Sequence, residues 1–319
     1  MDLQFPHVRD SRPHYESVYC ALAHPTEPEA LWIRTTVQKR PGKAPTGALW
    51  VTWFSEQGIR AGKFNELPVR PGGHGIVCGP ATQGPEGSRG DLQVDGLTAH
   101  WDLTFASRTH ELRHLHPDVL YRAPVPRTKS TSPLPDLDVS GSLVVNDRHV
   151  DLTSWTGMLG HNWGTEHAAA WIWLRASALG DDGTGWLDAV LGRVRIGPVL
   201  TPWTAFGAIE LDGSRHGLGG LLSRGTAVTI GDDSASIALD GRGIAVEVEA
   251  RVSLHETVGW EYSDPAGHRH EVVNSSVAAM SVVVDRADRR EAFAPVRRGV
   301  LEIGGDHRAF DVPLQPYPD

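Results

Sequence analysis

The feature that most constrains this chain is the near absence of helical spacing among its apolar residues. Short alternating or continuously apolar runs recur instead, each closed off by Gly, Pro or Asp. They fall at 14–23, 30–39, 47–55, 59–66, 97–106, 139–146, 148–156, 170–178 and 186–195. A second set follows at 203–212, 215–223, 225–230, 234–239, 243–254, 257–263, 269–284 and 297–304. Asp212-Gly213, Asp240-Gly241 and Asn146-Asp147 lie between paired runs, where these residues tolerate hairpin geometry. The pattern predicts an all-β protein built from antiparallel meanders. With 319 residues, one large or two ordinary domains can each bury a core. The proline-rich segment 122–137 suits a linker or a strap across a barrel, and Gly197-Pro198-Val199-Leu200-Thr201-Pro202 falls where the strand pattern restarts. We place the boundary at the second, giving domains 1–198 and 199–319, with the first as alternative. The C-terminal part is long enough to close an eight-strand barrel.

Chemistry concentrates between Gly160 and Arg175, a stretch of sixteen residues holding two histidines, a glutamate, an asparagine, an arginine and three tryptophans. If the stretch is one extended strand, His161, Trp163, Thr165, His167, Trp171, Trp173 and Arg175 share a face. Ala168, Ala170, Ile172 and Leu174 then form an apolar packing face. Polar groups among tryptophans on one sheet face suggest a lined pocket. A β-bulge at Gly164 would break this parity.

The segment Gly157-Met158-Leu159-Gly160-His161-Asn162-Trp163-Gly164 resembles the lipocalin-like family that contains carotenoid hydratase (hydroxyneurosporene synthase). Tyr15-Glu16-Ser17-Val18-Tyr19 and Ala30-Leu31-Trp32-Ile33-Arg34-Thr35-Thr36 match that family's first two strands. Tocopherol cyclase and the lipocalin-like Diels-Alderases are more distant relatives. The resemblance implies two tandem lipocalin-like antiparallel β-barrels with an apolar cavity in or between them, and no metal or organic cofactor. It also implies reactions in which a polyene or isoprenoid is bound, folded, and then protonated, hydrated or cyclised. Fold alone does not choose among these.

His161 and Trp163 sit on the motif. His161 could orient substrate or satisfy backbone groups at a strand end, and Trp163 could line the pocket or pack beneath the turn. Asn162, of opposite parity, reads as a structural hydrogen-bonder. His167 could join His161 at a metal, but no third ligand is spaced for it, so no metal is expected. Protonating an alkene calls for a carboxylic acid more than for a histidine of reference pKa about 6.5. Asp188, inside an apolar strand beside Trp186, could be that acid, or could be held ionised by Arg175 or Arg193. Glu166 is the other candidate acid, with a surface or arginine-paired position as its alternative. Glu16 reads as pairing with Arg34 across the first two strands. His268-Arg269-His270 reads as a solvated hairpin tip. The candidate catalytic set is therefore His161, Asp188, Glu166 and His167, with Trp163, Trp171, Trp173, Arg175 and Trp186 as substrate contacts. Tryptophan faces would also soften developing positive charge, although most tryptophans simply fill cores.

The net charge of −9 arises from interspersed acids, and no long basic run suggests nucleic acid. Cys20 and Cys78 are too few for a disulfide framework and read as buried free thiols. Met1–Asp10 has no signal-peptide core, and no apolar run reaches membrane-span length, so a cytoplasmic protein is expected. The leading functional expectation is a cofactor-independent hydratase or cyclase acting on an apolar polyene or isoprenoid. The alternatives are a pericyclase working by preorganisation and a non-catalytic binder of an apolar metabolite.

Overall fold

A computed structural model describes residues 12–72, 75–180, 183–223 and 225–317, so Met1–Asp10 lies outside the described residues. The described chain is strand throughout, apart from 3-10 turns at Asp118–Tyr121 and Leu254–Glu256. Alternation produces this directly. In Leu97–Ser107 the residues Leu97, Ala99, Trp101, Leu103 and Phe105 are buried while their neighbours face solvent. Asp212 and Gly213 both take positive φ, which lets a two-residue turn follow the twist of its strands.

Two sheets each roll into an antiparallel barrel. The first runs in the spatial order 58–67, 46–55, 30–39, 14–23, 156–164, 128–145, 97–107, 87–94, 81–84, 75–78, 69–72. It nearly closes on itself, with Gly62 lying against Val94 and Leu92. The second takes 214–219, 204–211, 185–193, 170–179, 289–305, 269–286, 244–251 and 234–241, and the pairing of Leu218 with Gly241 closes those eight strands into a ring. The chain changes sheet between Gly164 and Ala170, not near residue 198. Strands Ala170–Leu179 and Gly185–Arg193, counted above with the N-terminal barrel, pair inside the second sheet. The proline-rich stretch is no linker either. Residues 128–137 begin the long strand Thr128–Val145, whose register shifts twice between Thr131 and Leu137, where Pro133 and Pro135 cannot supply ladder N–H groups.

Each barrel is filled by its own apolar side chains, among them Trp53, Trp101 and Trp155 in the first and Ile172, Leu187 and Val248 in the second. Cys20 and Cys78 are buried free thiols in the first core, where burial raises both thiol pKa values and keeps them inert. A third apolar cluster lies between the barrels, where Trp32, Trp50 and Met158 meet Trp173, Trp260 and Tyr262. Strand His14–Ala23 is consequently buried at every position. Val18, Cys20 and Leu22 enter the first barrel, while Tyr19 and Ala21 join the interface.

Arg175 is part of that interface and does not line the larger cavity described below. Its guanidinium pairs with Asp136 at 3.2 Å and donates to the carbonyls of Pro135 and Gly157, tying the second barrel to the first. Burial raises the Asp136 pKa against the pull of Arg175 and Arg108. Arg175→Ala would leave that carboxylate buried with only the longer Arg108 contact, at 3.6 Å. A loss of about 3 kcal/mol in urea denaturation is expected near neutral pH. Arg89→Ala, which breaks an exposed pair with Asp102, should cost less than about 1 kcal/mol.

Candidate functional site

A cavity of about 380 Å³ opens between the outer faces of the two barrels. Strand register explains its first wall. Gly160, Tyr19 and Arg34 form one row across three neighbouring strands, and Ser130, Asn162 and Ser17 form the next. Tyr19, Arg34, Ser130 and Asn162 all line the cavity, as does Tyr15. Trp171, Trp173, Phe206, Tyr262 and Glu302 of the second barrel face them.

His167 belongs to the link between the barrels and also lines the cavity. Its Nδ1 lies 2.7 Å from Asp264 Oδ1, which also accepts the His167 backbone N–H at 2.7 Å. His270 Nε2 bonds the other carboxylate oxygen at 3.0 Å. Tyr15 stacks on the imidazole at 4.2 Å. Burial lowers the His167 pKa despite the opposing pull of Asp264, while the two histidines drive Asp264 far below the usual carboxylate range against its own burial. The ring is therefore neutral, with its proton on Nδ1 facing the carboxylate. Nε2 is left as a bare lone pair, buried and without a partner among the described residues. Potential ligand atoms of His167, Asp264 and His270 lie within 4.8 Å of one another, a two-nitrogen, one-carboxylate set that could hold a divalent cation. Both partners of His167 thus arrive from a hairpin about a hundred residues away, and His161, expected to join it, is not among them. His270 is buried, which corrects its reading as part of a solvated tip; His268 is exposed as expected.

Arg34 supplies the positive charge. It is 5% exposed, donates from Nε to Ser17 at 2.7 Å and lies 3.9 Å over the Tyr262 ring. No carboxylate pairs with it among the described residues, which is costly for a buried guanidinium. Its expected partner Glu16 points into the first barrel and meets His161 at 2.8 Å. Asn162 Oδ1 and Ser130 Oγ on the same wall are also buried and without a partner among the described residues. Asn162, read above as structural, is thus a cavity residue.

The indoles are held by carboxylates. Trp171 donates to Glu302 and Trp173 to Asp188, each at 3.0 Å, while Tyr262 and Asn274 also donate to Glu302. Two glycines make room for rings. A Cβ on Gly160 would meet Tyr19 Cζ at 2.3 Å, and one on Gly304 would meet Trp171 Cζ2 at 2.1 Å. The motif glycine lets Tyr19 lie flat against its neighbouring strand.

Of the nine residues expected at the site, His167, Trp171 and Trp173 line the cavity. The parity argument holds within each strand but fails across the change of sheet. His161 therefore points with Trp163 toward the first barrel, stacked on it at 4.8 Å, and burial pushes its pKa down to about 3. Glu166 is a surface carboxylate paired with Arg127 at 2.5 Å. Trp186 packs against Leu112 and Ala208. Asp188 lies behind Trp173, completely buried. Burial opposes its charge, but His114 at 3.3 Å, Ser132 and Arg175 prevail and hold its pKa below the ordinary value. It is an ionised partner of His114 and no proton donor near neutrality.

No family model matches the chain. The uncharacterised protein Rv0493c of Mycobacterium tuberculosis strain H37Rv is 23% identical over 87% of this chain and 83% of its own length. Its counterpart MT0513 from strain CDC 1551 gives the same figures. Among solved structures, a Nitrosomonas europaea protein provisionally named AttH superimposes with a TM-score of 0.54 at 14% identity, covering 96% of this chain and 98% of that one. Kievitone hydratase of Nectria haematococca gives 0.52 at 11% identity, over 91% and 88%. The tandem-barrel fold is shared with these proteins, as the motif resemblance implied.

His161 provides a check on the placement. Its native pKa lies below the unfolded value of about 6.5, so the unfolded chain takes up the proton first as pH falls. Stability should therefore drop between about pH 6.5 and 3 by roughly 1.4 kcal/mol per pH unit from this group. His161→Gln should flatten the pH dependence of urea denaturation by that amount over the same window.

Proposed function

We propose that this protein is a hydratase or cyclase that adds water, or a hydroxyl of the substrate itself, to an apolar natural product carrying a carbonyl group. The observation that carries the proposal is the placement of a neutral, Asp264-oriented imidazole and an arginine that no described carboxylate pairs in one aromatic cavity. Kievitone hydratase, with the same fold, supports the hydratase reading.

The chemistry favours a base over an acid. His167 Nε2 takes a proton from water as the oxygen bonds to the β-carbon of an unsaturated carbonyl. Electron density moves to the carbonyl oxygen, where Arg34 and the Tyr19 hydroxyl meet it. The enolate then regains the proton from the imidazolium at its α-carbon, so the balance is one water added. Burial raises the Tyr19 pKa strongly, which keeps its hydroxyl a donor. Acid-first protonation of an isolated alkene has lost its expected donor, because Asp188 is ionised. Trp171 and Trp173 shape the apolar part of the substrate.

The test is mass spectrometry of apolar host extracts incubated with the protein and its variants. A compound should gain one water, or change retention at constant mass. His167→Ala should lower the rate at least about a hundredfold. Asp264→Asn should give a comparable loss by removing the group that selects the tautomer, whereas His161→Ala should stay within about threefold, since it lies outside the cavity. Chelator should leave the rate unchanged; loss and recovery with added zinc would assign the His167–Asp264–His270 cluster to a metal instead. Unchanged extracts, with one compound co-purifying with every variant, would make the protein a binder.

A further inference from the structure

Eight large apolar residues among those described are conspicuously exposed, and six of them either line the cavity or lie within two residues of a lining residue. They are Val119, Val125, Ile196, Val199, Leu221 and Leu222, the last 93% exposed. They come from three separate loops. Leu120 and Val125, Val194 and Thr201, and Leu221 line the same cavity, so the three loops converge on one opening. His116 Nε2 lies 3.4 Å from the Gly219 carbonyl, joining the first loop to the third, and Arg193 Nε donates to the Thr201 carbonyl at 2.8 Å within the second.

Charge on these loops is opposite to that of the whole chain. Segments 117–127, 193–203 and 219–223 contain four arginines, at 122, 127, 193 and 195, against the single acid Asp118, and the partners from outside these segments, Glu166 on Arg127 and Asp306 on Arg195, still leave cations in excess. The protein as a whole carries −9. Apolar tips set among arginines match the boundary between lipid headgroups and acyl chains, where the tips enter and the cations meet phosphate.

We infer that the rim of this cavity docks on an anionic phospholipid surface and that the protein takes its apolar ligand directly from the bilayer. A lipid surface fits better than a folded partner for two reasons. Three short, separate tips offer no continuous flat face, and each adjoins residues that line a cavity which a protein partner would seal but a bilayer would supply. Among the described residues no helix is long and apolar enough to cross a membrane, so attachment of this kind would be peripheral. The inference goes beyond the proposed reaction and does not depend on it, since vesicle binding is read without substrate.

The experiment is co-sedimentation of the full chain with vesicles of phosphatidylcholine alone or mixed with phosphatidylglycerol, at low and high salt. Binding to the mixed vesicles, weakened by salt, is expected. The double variant Ile196→Ser, Leu222→Ser should weaken it at least about tenfold while circular dichroism stays unchanged. Ile230→Ser, at an exposed apolar residue away from the rim, should bind as the parent does. Absence of binding to either vesicle would overturn the inference, as would binding indifferent to the double variant. So would concentration-dependent dimerisation that the double variant abolishes, since the face would then be covered by a second copy.

Discussion

The structure depends on burying two barrels against each other through their outer faces. A barrel strand ordinarily hides one face, whereas His14–Ala23 hides both. Every polar side chain turned toward the interface must find a partner there or lose its hydration without return. Most succeed: Gln38 reaches the Ser263 carbonyl at 2.8 Å, Ser132 reaches Asp188 and Arg175 reaches Asp136. Among the described residues that line the cavity, His167 Nε2, Asn162 Oδ1, Ser130 Oγ and Trp32 Nε1 are buried without a partner, and Arg34 beside them is paired with no carboxylate.

These groups define the chemistry. Glu302 on the cavity wall and Asp188 behind it hold indole N–H groups, and Asp264 holds the imidazole. Negative charge serves to orient aromatic rings, and a neutral base and a cation share the cavity with the engaged Glu302. Such a surface accommodates an oxygen that becomes more negative as it reacts. The apolar loops around the mouth extend the same division outward, with dry tips next to positive charge.

Much of the fold was legible from period-two patterning, because strands such as Ala30–Lys39 and Ala170–Leu179 have residues of contrasting character on their two faces. Trp171 and Trp173 could be assigned together because they occupy one strand. His161 and His167 could not, since only five residues carry the chain from one sheet to the other and no residue there announces the change. The domain boundary was misplaced for the same reason, as Gly-Pro punctuation near 197 marks only a hairpin. Asp264, 97 residues from His167, has no local signature. Arg34 was hidden by a plausible pairing with Glu16, although the register sets their side chains on opposite faces. One signal was available: Tyr15, Ser17 and Tyr19 alternate with Glu16, Val18 and Cys20, giving a strand with polar groups among apolar ones on both faces.

The chemistry proposed for the cavity turns on a neutral His167 with a bare Nε2 lone pair, and ¹⁵N NMR of the labelled histidine rings reads that state. The His167 signal would be identified by its disappearance in His167→Gln. At neutral pH a neutral ring protonated on Nδ1 is expected, with Nε2 shifted as an unprotonated nitrogen. An imidazolium, or a neutral ring protonated on Nε2, would contradict it.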